Sequence, residues 1–250
     1  MKDERNNINK ECLCNEDSNY QQPMPRLGER APEFKAMTTN GLMNFPEDYK
    51  GKWVILFSHP ADFTPVCTSE FMTFASRQEE FRELNCEIVG LSIDGLFSHI
   101  AWLRSIGNLQ YNGIKNVTPK FPVIDDVSMN VARKYGMIQP KQGLTQAVRA
   151  VFFIDPEGIL KAMIYYPLSL GRNFDEIKRV IVALKTTEEF KVSTPADWQP
   201  GMPVILGAPL TTAGAEERMI KKGDDCQDWY FCTRKLDEKT IMKKIKKNHE

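Results

Sequence analysis

The stretch Trp53-Val54-Ile55-Leu56-Phe57-Ser58-His59-Pro60-Ala61-Asp62-Phe63-Thr64-Pro65-Val66-Cys67-Thr68 decides how this chain folds. Its first part is apolar and rich in β-formers, the mark of a buried strand. Residues 66–84, which follow, place Cys67, Phe71, Phe74, Gln78 and Phe81 at helical spacing. The pattern predicts a strand that passes through a short loop into a helix, with Cys67 in the first turn. Unpaired backbone N–H groups and the helix dipole favour negative charge at that position. Only a thiolate is a strong nucleophile, and a free cysteine is mostly protonated at neutral pH, so this placement favours the reactive form of Cys67. Thr64, three residues earlier, brings a hydroxyl that can give and accept hydrogen bonds near the sulfur. The phenylalanines on the same helix face predict a sulfur partly shielded from water.

Outward from this stretch, strands and helices alternate. Residues 87–94 read as a second buried strand, 98–109 as a helix, 121–124 as a short strand and 128–135 as helical. Residues 147–154 and 159–166 flank Asp155-Pro156-Glu157-Gly158, a β-turn composition that predicts a hairpin. Asn173-Phe174-Asp175-Glu176 reads as a capped helix start, with Phe174, Ile177, Ile181 and Leu184 as its apolar stripe. The alternation with one hairpin predicts an α/β sheet layered with helices. We divide the chain into a flexible tail at 1–25, a main domain at 26–190 and a smaller C-terminal domain or arm at 191–250. Recurrent prolines and glycines after Phe190 predict an extended arm that ends in a helix from about Lys235.

Composition narrows the function classes. The 250 residues carry 33 basic and 33 acidic side chains, so no net field recruits nucleic acid or an anionic membrane. No stretch reaches the length of a membrane-spanning helix, and the polar N-terminus lacks the apolar core of a signal peptide. We therefore expect a cytoplasmic address. Thiols are kept reduced there, so the six cysteines are read as reactive, transient or buried.

The run Pro60-x-x-x-Thr64-x-x-Cys67 resembles the active-site signature of the peroxiredoxins, thiol peroxidases that reduce hydrogen peroxide and organic hydroperoxides. His59 before the proline, with Thr194-Pro195-Ala196-Asp197-Trp198-Gln199-Pro200-Gly201 downstream, is similar to the subgroup that includes the one-cysteine enzymes. Asp228-Trp229-Tyr230-Phe231-Cys232 resembles the archaeal-type members, which carry a second working cysteine. The resemblance spans about Leu27 to Cys232. It implies a thioredoxin-like fold, no cofactor, no bound metal, and a homodimer that assembles further into a decamer.

It also implies roles. Cys67 is the peroxidatic residue, and a sulfenic acid formed there must be resolved by a thiol or it over-oxidises. Cys232, anchored by the aromatic residues before it, is the expected resolver. Cys226 is the second choice, able to exchange a disulfide with Cys232, and a thioredoxin-like dithiol is the expected reductant. Arg149 matches the family's active-site arginine and, with Thr64 and the N–H groups around Cys67, would bind the peroxide and stabilise the departing oxygen. Alone, Arg149 also fits a sheet-end arginine paired with surface acids. Pro60 either shields the thiolate or simply ends the strand. His59 either polarises the site, donating toward Cys67, or is structural.

The remaining candidates read as bystanders. His99 and His249 look like surface residues, and Cys86 like a packed small side chain. Cys12 and Cys14 have no second pair at zinc-site spacing. The serine on which some family members build a phospholipase site is missing, since residues 43–53 contain none. The competing readings are a one-cysteine cycle completed by an external thiol, an oligomeric holdase chaperone, and metal storage or sensing through the cysteines.

Overall fold

In the computed structural model, which describes residues 24–143, 145–220 and 223–246, the secondary-structure elements follow in chain order. They are β1 (Phe34–Thr38), β2 (Gly41–Phe45), β3 (Trp53–Ser58), α1 (Pro65–Arg82), β4 (Cys86–Ser92) and α2 (Leu96–Ile106). The short pair β5 (Gln110–Tyr111) and β6 (Ile114–Lys115) precedes β7 (Val123–Asp125), α3 (Asn130–Lys134), β8 (Arg149–Ile154), β9 (Leu160–Tyr166) and α4 (Phe174–Phe190). The C-terminal part contains β10 (Val204–Ile205), α5 (Thr212–Ile220), β11 (Asp225–Asp228), β12 (Phe231–Arg234) and α6 (Glu238–Lys246).

Every residue of β3 is buried, as its unbroken apolar run requires of a strand covered on both faces. It lies inside a seven-stranded sheet of order β2-β1-β7-β4-β3-β8-β9. β3 runs parallel to β4 and antiparallel to β8, and β4 is parallel to β7. Side chains alternate along β3. Trp53, Ile55 and Phe57 face Phe71, Phe74 and Trp102 of the helices on one side. Val54 and Leu56 face Phe45, Val131 and Tyr135 on the other. The result is the layered α/β architecture that the alternation predicts, in the thioredoxin-like form that the family resemblance implies.

Local chemistry explains the joints. Pro65 sits at the first helical position of α1, where its missing N–H costs no bond. The β8–β9 hairpin turns on Asp155, whose Oδ1 accepts from Glu157 N at 3.0 Å and Ile159 N at 2.8 Å. Gly158 adopts φ +82° there, and a Cβ would lie 3.1 Å from Pro46, so the position calls for glycine. Asn173 caps α4 by accepting from the N–H groups of Asp175 and Glu176.

The C-terminal part differs from the extended arm the composition suggested. It forms a three-stranded sheet of order β10-β12-β11, on which Cys226 and Cys232 face each other across paired strands and are joined as a disulfide. α6 packs on α4, with Ile241 and Ile245 in the same buried cluster as Cys67, and Lys246 reaches Glu83 at the end of α1 at 2.6 Å. Strands of two to four residues are too short to show an alternating pattern. Among the described residues, no helix is long and apolar enough to cross a membrane.

Candidate active site

The end of β3 and the first turn of α1 bring the sequence motif together. Thr64 is the N-cap and Cys67 the third helical residue, and the first backbone bond of the helix runs from Thr68 N to Thr64 O at 2.9 Å. The N–H groups of Val66 and Cys67 therefore lie ahead of the ladder and have no carbonyl of the helix to bind. Cys67 is fully buried. Arg149, the first residue of β8, places Nη1 3.3 Å from the Cys67 sulfur, while its Nε donates to Leu168 O at 2.9 Å. The alternative of a solvated sheet-end arginine does not describe this buried side chain.

Arg149 does not stand alone. Its Nη1 also donates to Glu70 Oε2 at 2.8 Å, and the same oxygen accepts from Arg172 Nη1 at 2.6 Å. Glu70 Oε1 accepts the backbone N–H of Arg172 at 2.9 Å. Arg172 further donates through Nη2 to Ser58 O and to Ala150 O. One carboxylate thus holds two buried guanidinium groups, and burial lowers the Arg172 pKa against the opposing pull of Glu70. Ser58 Oγ ties the two strands beneath the site, donating to Val148 O at 2.6 Å and accepting from Ala150 N at 3.1 Å.

Glu70 and Arg172 went unnoticed in the sequence. Glu70 carried a signal, since a carboxylate one turn from Cys67 on an otherwise apolar inner face needs a buried partner. Arg172 sits in the Gly171-Arg172-Asn173 connection ahead of α4, where no periodicity marks it.

The loop of residues 59–64 holds a second buried cluster. His59 Nε2 lies 2.9 Å from Asp62 Oδ1, and His99 Nδ1 lies 2.8 Å from Asp62 Oδ2. His99 Nε2 is 3.1 Å from Ile124 O. His99 is therefore fully buried, not the surface residue expected, because α2 lays this polar ring against an acidic partner in the core. Burial holds the His59 imidazole below its ordinary range. Burial alone would raise the Asp62 carboxyl, but the two imidazoles outweigh it and hold the group well below the usual carboxylate range. Asp62 Oδ1 thus engages His59 through Nε2, the ring nitrogen that would otherwise be free to face other groups. The ring's Nδ1 has no partner among the described residues.

The ligand atoms of His59, Asp62 and His99 all lie within 4.8 Å of one another, and Asp62 stands at hydrogen-bond distance, 2.9 and 2.8 Å, from the two rings. Thr64 Oγ1 donates to Ala61 O at 2.8 Å, which leaves its lone pairs for the site. Pro60 is buried at the end of β3. Phe63 stands in the left-handed region at φ +56° with 61% of its surface exposed.

Among the other cysteines, Cys86 opens β4 buried, and burial pushes its thiol pKa up. Cys232 is buried and bonded to Cys226. Cys12, Cys14 and His249, with most of the expected tail, lie outside the described residues.

Comparison with known proteins agrees with this arrangement. Residues 27–163 match the AhpC/TSA family, and residues 183–222 match the C-terminal domain of 1-Cys peroxiredoxin. A peroxiredoxin of Methanosarcina mazei is 59% identical over 219 residues, covering 86% of this chain and all of the relative. One of Aquifex aeolicus is 50% identical over 223 residues, covering 85% and 98%. The structure of a yeast mitochondrial 1-Cys peroxiredoxin superposes with a TM-score of 0.74 at 35% identity, covering 85% of this chain and all of that one. A cysteine-to-serine mutant of the peroxiredoxin 6 of Arenicola marina gives 0.73 at 33%, covering 84% and 98%. A buried cysteine at a helix mouth beside an arginine, on this fold and with these relatives, leads to one conclusion: the chain belongs to the AhpC/TSA family, and it is a peroxiredoxin, a thiol-dependent peroxidase that takes a peroxide as substrate and a thiol as reductant.

Proposed function

We propose that Cys67 is the peroxidatic residue and that Cys232 and Cys226 complete its cycle in turn. The Cys67 thiolate attacks one oxygen of ROOH, the O–O bond breaks, and the departing RO⁻ takes up a proton to leave as ROH or water. Cys67 is left as a sulfenic acid. Arg149, the Val66 and Cys67 N–H groups and the Thr64 oxygen line the place where the oxygens sit, and a permanent positive charge is suited to the negative charge that develops. The Cys232 thiol then displaces water from the sulfenic acid to form a Cys67–Cys232 disulfide. Attack by Cys226 moves that bond to Cys226–Cys232 and frees Cys67, and a thioredoxin-like dithiol reduces the terminal pair.

The observation that carries this reading is the 3.3 Å approach of Arg149 to the Cys67 sulfur at the start of α1. The cross-strand pairing of Cys226 with Cys232 supports the last exchange. From the family resemblance we further propose a homodimer that assembles into a decamer.

Non-reducing electrophoresis with peptide mapping, before and after one equivalent of peroxide, tests the scheme on the wild type and single Cys→Ser variants. We expect Cys67→Ser to lose all turnover and Cys226→Ser to accumulate the Cys67–Cys232 linkage. Full turnover by Cys232→Ser with a thioredoxin replaces the scheme with a one-cysteine cycle. Absence of any Cys67 oxidation in the wild type ends it.

A further inference from the structure

His99 makes two hydrogen bonds that no neutral imidazole can make alone. Its Nε2 faces the carbonyl of Ile124 at 3.1 Å, and a carbonyl only accepts, so Nε2 carries a proton. Its Nδ1 faces Asp62 Oδ2 at 2.8 Å. One further proton must lie between those two atoms, on the ring or on the carboxyl. Wherever it sits, Asp62 Oδ1 remains an acceptor, and the facing Nε2 of His59, at 2.9 Å, must donate to it. Asp62, held in place by the second bond of His99, thus sets the tautomer of His59, whose Nδ1 is left a bare, buried lone pair without a partner among the described residues.

The same contacts brace the active-site loop. The backbone N–H of Asp62 is held by Asp94 Oδ2 at 2.9 Å, and that oxygen also accepts from Ser92 Oγ. His59 N donates to Leu91 O at 2.9 Å. Between Asp62 and the Thr64 cap stands Phe63, in a left-handed conformation that a bulky residue keeps only when its flanks are fixed. The His59 ring packs on Phe71 and Trp102, with centroids 4.7 and 5.1 Å away, and Trp102 Nε1 donates to Thr68 Oγ1 in the first turns of α1. Asp94 and Asp125 are the other acids nearby, and Asp125 Oδ2 accepts from Leu96 N at the start of α2.

We propose that His99 is a positioning residue for the peroxidase reaction: through Asp62 it fixes His59 with its one proton on Nε2, and it holds residues 59–64 around the cap of the helix that bears Cys67. The proposal rests on the assignment of Cys67 as the reacting thiol. His99 touches neither the sulfur nor the substrate, so its effect runs through Asp62 and the loop.

The experiment measures the second-order constant for Cys67 oxidation by hydrogen peroxide in the wild type, His99→Phe and Asp62→Asn. It also reads the His59 tautomer from its side-chain ¹⁵N shifts. An asparagine at 62 satisfies every contact without the extra proton, since its oxygen accepts from His59 Nε2 and its amide donates to His99 Nδ1. We expect His99→Phe to lower the constant at least tenfold and to release the His59 tautomer. Asp62→Asn should recover at least a third of the wild-type constant, with Nε2 still protonated. A wild-type His59 protonated on Nδ1, a His99→Phe constant equal to wild type, or an Asp62→Asn variant as slow as His99→Phe overturns the proposal while leaving the Cys67 assignment intact. A wild-type Cys67 that does not react overturns both.

Discussion

Glu70 and Cys67, one helical turn apart on α1, share a single nitrogen of Arg149: Nη1 lies 2.8 Å from Glu70 Oε2 and 3.3 Å from the Cys67 sulfur. The carboxylate aims the guanidinium, and the guanidinium faces the sulfur. Arg149→Met should therefore lower the rate constant for peroxide by roughly 10²–10³, the cost of losing one preorganised donor. Arg149→Lys should recover little, because an ammonium cannot serve Leu168 O, Glu70 and the sulfur from one rigid fork. Stopped-flow mixing with peroxide decides it, and a lysine variant near the wild-type rate contradicts this geometry.

Removing Glu70 strands two buried cations. Glu70→Ala should destabilise the fold by about 3–5 kcal/mol, because Arg149 and Arg172 both lose their counter-charge. Glu70→Gln, which keeps the shape and an accepting oxygen, should cost less. Denaturant midpoints of the two variants measure the order, and equal losses would mean that the charge is not what holds the pair.

Acid should weaken the fold in two stages. His59 is held below its ordinary range by burial, and Asp62 is held down by its two imidazole partners. The unfolded chain binds both protons more readily, near about 6.5 and 3.9, so stability rises with pH across this region. The His59 contribution is whole above about pH 6.5 and is lost below it, and the Asp62 contribution follows below about pH 3.9. Each stage falls by up to about 1.4 kcal/mol per pH unit. Unfolding midpoints from pH 8 to 3 test this, and His59→Phe should remove the upper stage and shrink the lower one, since Asp62 then keeps only its His99 partner.

Ser58→Ala removes the hydroxyl that donates to Val148 O and accepts from Ala150 N, leaving those two groups only their own 3.1 Å bond. We expect a loss of about 0.5–1.5 kcal/mol, the net worth of a buried hydrogen bond. A thermal midpoint unchanged from wild type would show that the two strands re-pair without the hydroxyl.

The sequence was most legible where a single physical pattern ran long enough to read. The apolar run of β3, the helical stripe of α1 and the turn residues at Asp155–Gly158 each announce their element. So does Asn173, whose capping bonds are those its side chain favours. The β1–β2 hairpin escaped notice because apolar Met37 and Leu42 are exposed and polar Thr38 is buried, which blurs its alternation. The site was legible through Cys67, Thr64 and Arg149, which the fold brings together. Arg172 and His99 were not, since each acquires its meaning from a partner far along the chain, Glu70 for one and Asp62 for the other. A histidine reads as surface until its carboxylate is known.

The docking of α6 changes what the cysteine hairpin can do. Because Trp198 and Val204 before it and Ile241 and Ile245 after it are all seated in the main core, the cysteine hairpin is anchored on both sides. A segment anchored on both sides is constrained as a loop rather than a free tail, and Trp229, Tyr230 and Phe231 at its turn are exposed. The reach open to Cys226 and Cys232 is then limited by the slack between two anchors, and loosening α6 would lengthen it without touching either sulfur.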